Sequence, residues 1–264
     1  MKKTKICIFA TALLLTFAIL PLHVFAEGNS YSWYCKRTKD HTQPQVGGDI
    51  AFVSEYGGYS IDKKHGDGCE DKVIYLTFDA GYENGNVEKI LNVMKRQNVS
   101  GAFFVLGNLI EKNTELVCRM FSEGHLVCNH TYSHDCMTGK TQEEFKTELE
   151  RLETACAEKT GHSLAKYYRP PEGRFDENSL KYAQDMGYKT IFWSFAYADW
   201  DNNKQMSKEA AKRKILDNIH NGAVLLLHPT SATNAAVLED VILELKSMGY
   251  RFGTLDELCS EAGE

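Results

Sequence analysis

Six side chains with complementary chemistry stand in or just past short apolar runs. They are Asp79, His130, His134, Arg169, Asp199 and His228. Asp79 follows Val73–Phe78, and His130 and His134 follow Leu126–Asn129. Arg169 follows Tyr167-Tyr168, Asp199 comes soon after Ile191–Phe195, and His228 follows Ala223–Leu227. Taken singly, each has an ordinary reading: an Asp after a strand caps a turn, a His satisfies a core, an Arg pairs at the surface. His130 and His134 could also lie on a solvated helix face. All five places together point instead to one reacting centre. Two imidazoles one helical turn apart can bind a divalent metal. A metal polarises a carbonyl and acidifies bound water. Asp79 can take the proton of that water, and Arg169 beside it would keep it ionised. Asp199 can orient His228 and favour its protonated form, which then donates to a leaving amine. The chemistry is metal-assisted amide hydrolysis with a separate base and acid. No G-x-S-x-G elbow and no Cys-His pair in a nucleophile context is present, so acyl-enzyme chemistry is disfavoured.

The elements that must position these groups read as repeated βα units. Strands are expected at 73–78, 101–105, 126–129, 167–169, 189–193, 223–227 and 250–253. Helices are expected at 86–97, 114–123, 141–159, 177–186, 207–220 and 234–248. Thr141 followed by Glu144 makes a capping box, and Gly124, Gly161, Gly187 and Gly249 stand where helices stop. Short strands alternating with helices mean a parallel sheet. Residues 72–264 carry no linker that would divide them, and units of this number suit a closed or nearly closed barrel with its chemistry at the C-terminal strand ends. Residues 27–71 lack periodicity and read as an irregular N-terminal extension that wraps the barrel.

Composition sets outer limits. The 264 residues are 43% hydrophobic and 25% charged, with a formal charge of −6. That excludes a disordered chain and a polytopic membrane protein, and the acidic balance argues against a nucleic-acid partner. Met1–Lys5 is basic, Ile6–Leu20 is apolar, and Val24-Phe25-Ala26 offers small residues for cleavage. Residues 1–26 therefore read as a secretory signal peptide, which places the mature chain outside the cytoplasm. The alternative is an uncleaved membrane anchor through residues 6–20. Cleavage would take the charge from −6 to −9 and leave seven Cys, an odd number that cannot all pair within one chain.

The ordered motifs Thr77-Phe78-Asp79 with Gly81, His130-x-x-x-His134, Arg169-Pro170-Pro171-x-Gly173, Asp199-Trp200 and Leu226-Leu227-His228-Pro229 resemble the polysaccharide deacetylases of carbohydrate esterase family 4, the NodB homology domain. The resemblance spans about residues 72–258. It implies a distorted (β/α)7 barrel, Asp79 as base, His228 as acid, Arg169 and Asp199 as their partners, and His130 and His134 as ligands of a divalent metal, zinc first. Tyr132, Glu172, Gly173, Arg174 and Trp200 are the substrate-binding candidates. Ala80 stands where the family usually has a third metal ligand, so a weaker metal site is expected. Glu172 stands where the family commonly has an aromatic residue; its backbone N–H can still serve an oxyanion. Arg174 suits a lactyl carboxylate; its ordinary reading is a surface arginine.

The segments Tyr31-Ser32-Trp33-Tyr34, Asp40–Pro44 and Thr77–Gly85 narrow the resemblance to the delta-lactam-forming branch of spore formers. That branch implies N-acetylmuramic acid in cortex peptidoglycan as substrate, on glycan strands first stripped by a muramoyl-L-alanine amidase. It further implies a place in the cell wall or the space between forespore membranes. Two other readings stand beside it: an N-acetylglucosamine deacetylase of peptidoglycan or chitin, and a glycan-binding pseudoenzyme suggested by Ala80.

Overall fold

The computed structural model describes residues 29–38 and 40–260; the expected signal peptide, residues 1–26, lies outside them. The extension opens with β1 (Tyr31–Ser32), β2 (Cys35–Lys36) and β3 (Gln45–Val46), followed by a 3-10 segment, Gly48–Tyr56, and β4 (Gly58–Tyr59). Then come β5 (Lys72–Ala80), α1 (Val87–Gln97), β6 (Ala102–Val105), α2 (Gly107–Lys112), α3 (Thr114–Ser122), β7 (Leu126–Asn129) and α4 (Gln142–Thr160). The chain continues with β8 (Ala165–Tyr168), β9 (Arg174–Phe175), α5 (Glu177–Asp185), β10 (Lys189–Ile191), α6 (Lys208–Leu216), β11 (Ala223–Leu227), α7 (Ala232–Ser247), β12 (Tyr250–Phe252) and α8 (Leu255–Leu258).

Eight of these strands form one sheet in the order β11-β5-β6-β7-β8-β10-β4, with β12 on the start of β5. Every pairing within it is parallel. The sheet curls back on itself. Past β10 the chain leaves β4 and crosses to β11, where the N–H groups of Ser194 and Phe195 donate to Val224 O at 3.0 and 3.2 Å. This crossing ends β10 at Ile191, short of the expected Trp193. The result is the distorted barrel that the βα pattern implies. Several elements differ from the sequence expectation: α6 ends at Leu216 and not at 220, and β9 and α8 were not expected. Helix α2 has only six residues, too short to print a readable period. The extension does more than wrap the barrel, since β4 joins the sheet beside Thr190 and Ile191.

The pleat of β5 explains the floor of the site. Side chains alternate across a strand. Ile74, Leu76, Phe78 and Ala80 therefore face the outer layer, in one cluster with Ile90, Leu91 and Met94 of α1. Val73 and Tyr75 face the barrel interior with Ala102, Phe104, Cys128, Tyr167, Ile191 and Val224. Thr77 and Asp79 continue that inward row, so the apolar interior ends in a polar layer at the C-terminal mouth. Ala80 is fully buried on the other face.

Candidate active site

Arg169 is the pivot of the polar layer and has no solvent exposure. Its Nη1 donates to Asp79 Oδ1 at 2.7 Å and its Nη2 to Thr77 Oγ1 at 2.9 Å. Its Nε donates to Ile191 O at 2.9 Å, and its guanidinium carbon lies 4.1 Å from the Phe104 ring centroid. A buried arginine needs this degree of satisfaction, because an unpaired buried charge is strongly destabilising. Burial opposes ionisation of Asp79, but the neighbouring charges, Arg169 first, override it and hold the carboxyl below its ordinary range.

A second carboxylate–cation pair forms the flank. Asp199 Oδ1 accepts from His228 Nδ1 at 2.7 Å, while Oδ2 accepts from His228 N at 2.8 Å and Asn234 Nδ2 at 2.6 Å. Asp199 is 2% exposed, whereas the His228 side chain keeps 25% of its surface open. Burial would lower the His228 pKa; the Asp199 hydrogen bond and charge outweigh it and raise it. The hydrogen bond at Nδ1 leaves Nε2 as the free ring nitrogen. The Trp200 ring stands 6.1 Å from that imidazole.

His130 and His134 sit on a loop after β7 and not on a helix, which corrects the helical-turn reading. Thr131 and His134 adopt left-handed φ of 71° and 62°, and Glu172 across the cleft one of 57°. Left-handed non-glycine residues are strained and gather at functional sites. The loop folds back through His134 N, which donates to Thr131 Oγ1 at 3.0 Å, and brings the two imidazole centroids to 5.0 Å. His130 Nδ1 faces Arg169 O at 2.8 Å. A carbonyl only accepts, so Nδ1 carries the proton and Nε2 a lone pair. Burial pushes the His130 pKa down to about 4, which keeps the ring neutral near pH 7.

Nε2 of His130 lies 3.4 Å from Asp79 Oδ2. Two acceptors facing each other with no proton between them suit a cation, and a neutral imidazole fixed by a backbone carbonyl is the usual form of a metal ligand. Among the described residues no set of three or more His, Cys, Asp and Glu side chains is assembled to hold a metal ion. The donor set thus fits a metal held by His130 and His134, with its other positions open to water. Ala80, turned to the outer layer, supplies nothing.

Asp79, His130, His134, Glu172, Gly173, Trp200 and His228 together line a cleft of about 710 Å³. Arg169 and Asp199 sit behind Asp79 and His228. Two expected binding residues do not line it. The Tyr132 ring lies under Arg151, with the guanidinium carbon 3.7 Å from its centroid, and it leaves no room for a Cβ at Gly107. Arg174 is exposed on β9, opposite Ser32 of β1. The strand pairing turns the chain after Gly173, so Glu172 and not Arg174 faces the cleft. Sequence reasoning missed Tyr82, Leu106, Trp193, Tyr197 and Thr230, all of which line it. An aromatic three residues past Asp79, Tyr82, was the one weak signal the sequence carried. The extension braces the Glu172 corner: Trp33 N donates to Gly173 O at 2.8 Å and Trp33 Nε1 to Trp193 O at 2.8 Å.

Comparison with known proteins gives the family. The polysaccharide deacetylase family profile matches residues 67–191. The chain is 38% identical over 231 residues to the peptidoglycan-N-acetylmuramic acid deacetylase PdaA of Bacillus subtilis (strain 168), covering 87% of this chain and 86% of that protein. It is 34% identical over 191 residues to the peptidoglycan-N-acetylglucosamine deacetylase PgdA of Listeria monocytogenes, covering 72% of this chain and 40% of that protein. The solved structure of Bacillus subtilis PdaA, described as a family 4 carbohydrate esterase, superimposes with a TM-score of 0.81 at 37% identity, covering 87% and 96% of the two chains. The chain belongs to the polysaccharide deacetylases of carbohydrate esterase family 4, hydrolases that act on N-acetyl groups. Deacetylases of this family are generally metal-dependent.

Proposed function

We propose that this chain deacetylates peptidoglycan, and that its substrate is N-acetylmuramic acid in peptide-stripped strands. The freed amine then closes on the lactyl carboxylate of the same sugar, with loss of water, to give the muramic-δ-lactam of spore cortex. The observation that carries the reading is the meeting in one cleft of an arginine-held carboxylate and an aspartate-held histidine. The 38% identity to the Bacillus subtilis PdaA supports the choice of sugar.

In this mechanism Asp79 takes the proton of the attacking water, and Arg169 keeps it ionised to do so. His228, protonated and held by Asp199, donates from Nε2 to the leaving nitrogen. The backbone N–H of Glu172 is the donor at hand for the oxyanion. A divalent metal, zinc first, would be held by His130 and His134 and would polarise the acetamide carbonyl. With two protein ligands it would be weaker and exchangeable. The amide bond breaks, acetate leaves, and the sugar keeps the amine.

The reading places the enzyme outside the cytoplasm, exported by residues 1–26 or anchored by residues 6–20. Its partner is the glycan strand, prepared by a muramoyl-L-alanine amidase. One observation favours the N-acetylglucosamine alternative: Glu172 lines the cleft, and no Lys or Arg among the described residues does. A neutral sugar would meet no repulsion there. A pseudoenzyme would not need the base and acid with their partners. Mass spectrometry of muropeptides from cortex treated with amidase and then enzyme decides between them. The δ-lactam is expected; deacetylated glucosamine without lactam would overturn the choice of sugar.

A further inference from the structure

The cleft has a depth gradient. Its floor is closed, with Asp79 9% and His130 3% exposed. Its rim carries two aromatic rings open to solvent, Tyr82 at 43% and Trp200 at 60%. Few large apolar side chains of the described residues are this exposed, and two of them meet at one cleft. Exposed apolar surface gathered at one place marks a binding site.

Tyr82 is held by one hydrogen bond and flanked by fixed neighbours. Its hydroxyl accepts from Asn202 Nδ2 at 2.7 Å, across the mouth on the loop that carries Trp200. Its neighbour Gly81 is fixed, because Asn108 Nδ2 donates to Gly81 O at 3.0 Å and a Cβ there would stand 2.9 Å from Leu106. The Asn202 loop is itself knotted by Gln205 Nε2, which donates to Asp199 O at 2.8 Å and Asp201 O at 2.9 Å. The ring is therefore preorganised at the rim, which lowers the cost of binding.

We propose that Tyr82 is a glycan-binding residue that seats the sugar next to the one being deacetylated, with Asn202 as its positioning residue. A sugar whose acetamide reaches Asp79 fills the floor, so a ring at the rim meets its neighbour along the strand. The apolar face of a pyranose packs on an aromatic ring, and the Asn202 bond fixes the ring's direction. Tyr82 then selects polymer over short fragments. The proposal rests on the reading of the substrate as a glycan strand and deepens it.

Calorimetric binding separates the two. The ligands are a peptide-free tetrasaccharide of alternating N-acetylglucosamine and N-acetylmuramic acid, and N-acetylmuramic acid as a single sugar. Tyr82→Ala is expected to weaken tetrasaccharide binding about tenfold, ~1.4 kcal/mol, and single-sugar binding clearly less. Tyr82→Phe and Asn202→Ala are expected to weaken the tetrasaccharide about threefold. Thermal melting of each variant checks the fold, and Tyr82→Phe keeps the ring should Tyr82→Ala fold poorly. Equal tetrasaccharide affinity in wild type and Tyr82→Ala, or equal losses for both ligands, would overturn the proposal. So would a wild type that binds neither. A wild type that binds the tetrasaccharide more tightly than the single sugar, loses that preference in Tyr82→Ala, and releases no acetate would uphold Tyr82 and sink the assigned activity.

Discussion

Two carboxylate–cation pairs meet in the cleft, and they are built differently. Asp79 is paired with Arg169, a fully buried guanidinium. Asp199 is paired with His228, a titratable imidazole whose pKa Asp199 raises and whose ring is a quarter open to the cleft. The first pair holds a proton acceptor permanently ready. The second holds a group that can give its proton away and recover it. On the proposed roles, base and acid come from the same carboxylate chemistry by a change of partner.

Arg169→Leu attacks the first pair at its root and carries the largest expected effect. It leaves Asp79 buried without its cation and strands the Ile191 carbonyl. The fold should lose about 3–5 kcal/mol, read by chemical denaturation, with acetate release falling below detection. Asp79→Asn keeps the shape and removes the base. Acetate release should fall about 10²–10⁴-fold, in a protein that still binds glycan.

The second pair predicts a pH signature. The acid works while His228 is protonated, so the rate must fall as pH rises through its pKa. Asp199 raises that pKa. Asp199→Asn should therefore move the alkaline limb of kcat/KM to lower pH and cut the rate at neutral pH by about 10²-fold. An alkaline limb that stays in place would break the contrast between the pairs. The smallest effect belongs to Arg174, which lies on β9 outside the cleft. Arg174→Ala should change kcat/KM on carboxylate-bearing glycan by less than about twofold.

The floor was legible in the sequence, and the rim only in part: Trp200 was expected at the cleft and lines it, while Tyr82 was not expected there. Asp79, Arg169 and His228 each follow an apolar run, and the period of a buried strand dictates which face the next residue takes. The barrel rule then places them at one mouth. The rim depends on loop conformations that residue types do not announce. Left-handed backbone at Thr131, His134 and Glu172 sends His134 and Glu172 into the cleft. The stacking of Arg151 takes Tyr132 out of it, and a two-residue pairing between β1 and β9 does the same for Arg174. Tyr82 reads as one more loop aromatic until Asn202 ties it across the mouth.

The most direct test of the assigned activity is acetate release from cortex peptidoglycan, intact and after amidase treatment, by wild type and Asp79→Asn. Release only after amidase treatment, lost in Asp79→Asn, is the predicted result. Equal release from intact peptidoglycan, or release that survives in Asp79→Asn, would contradict it.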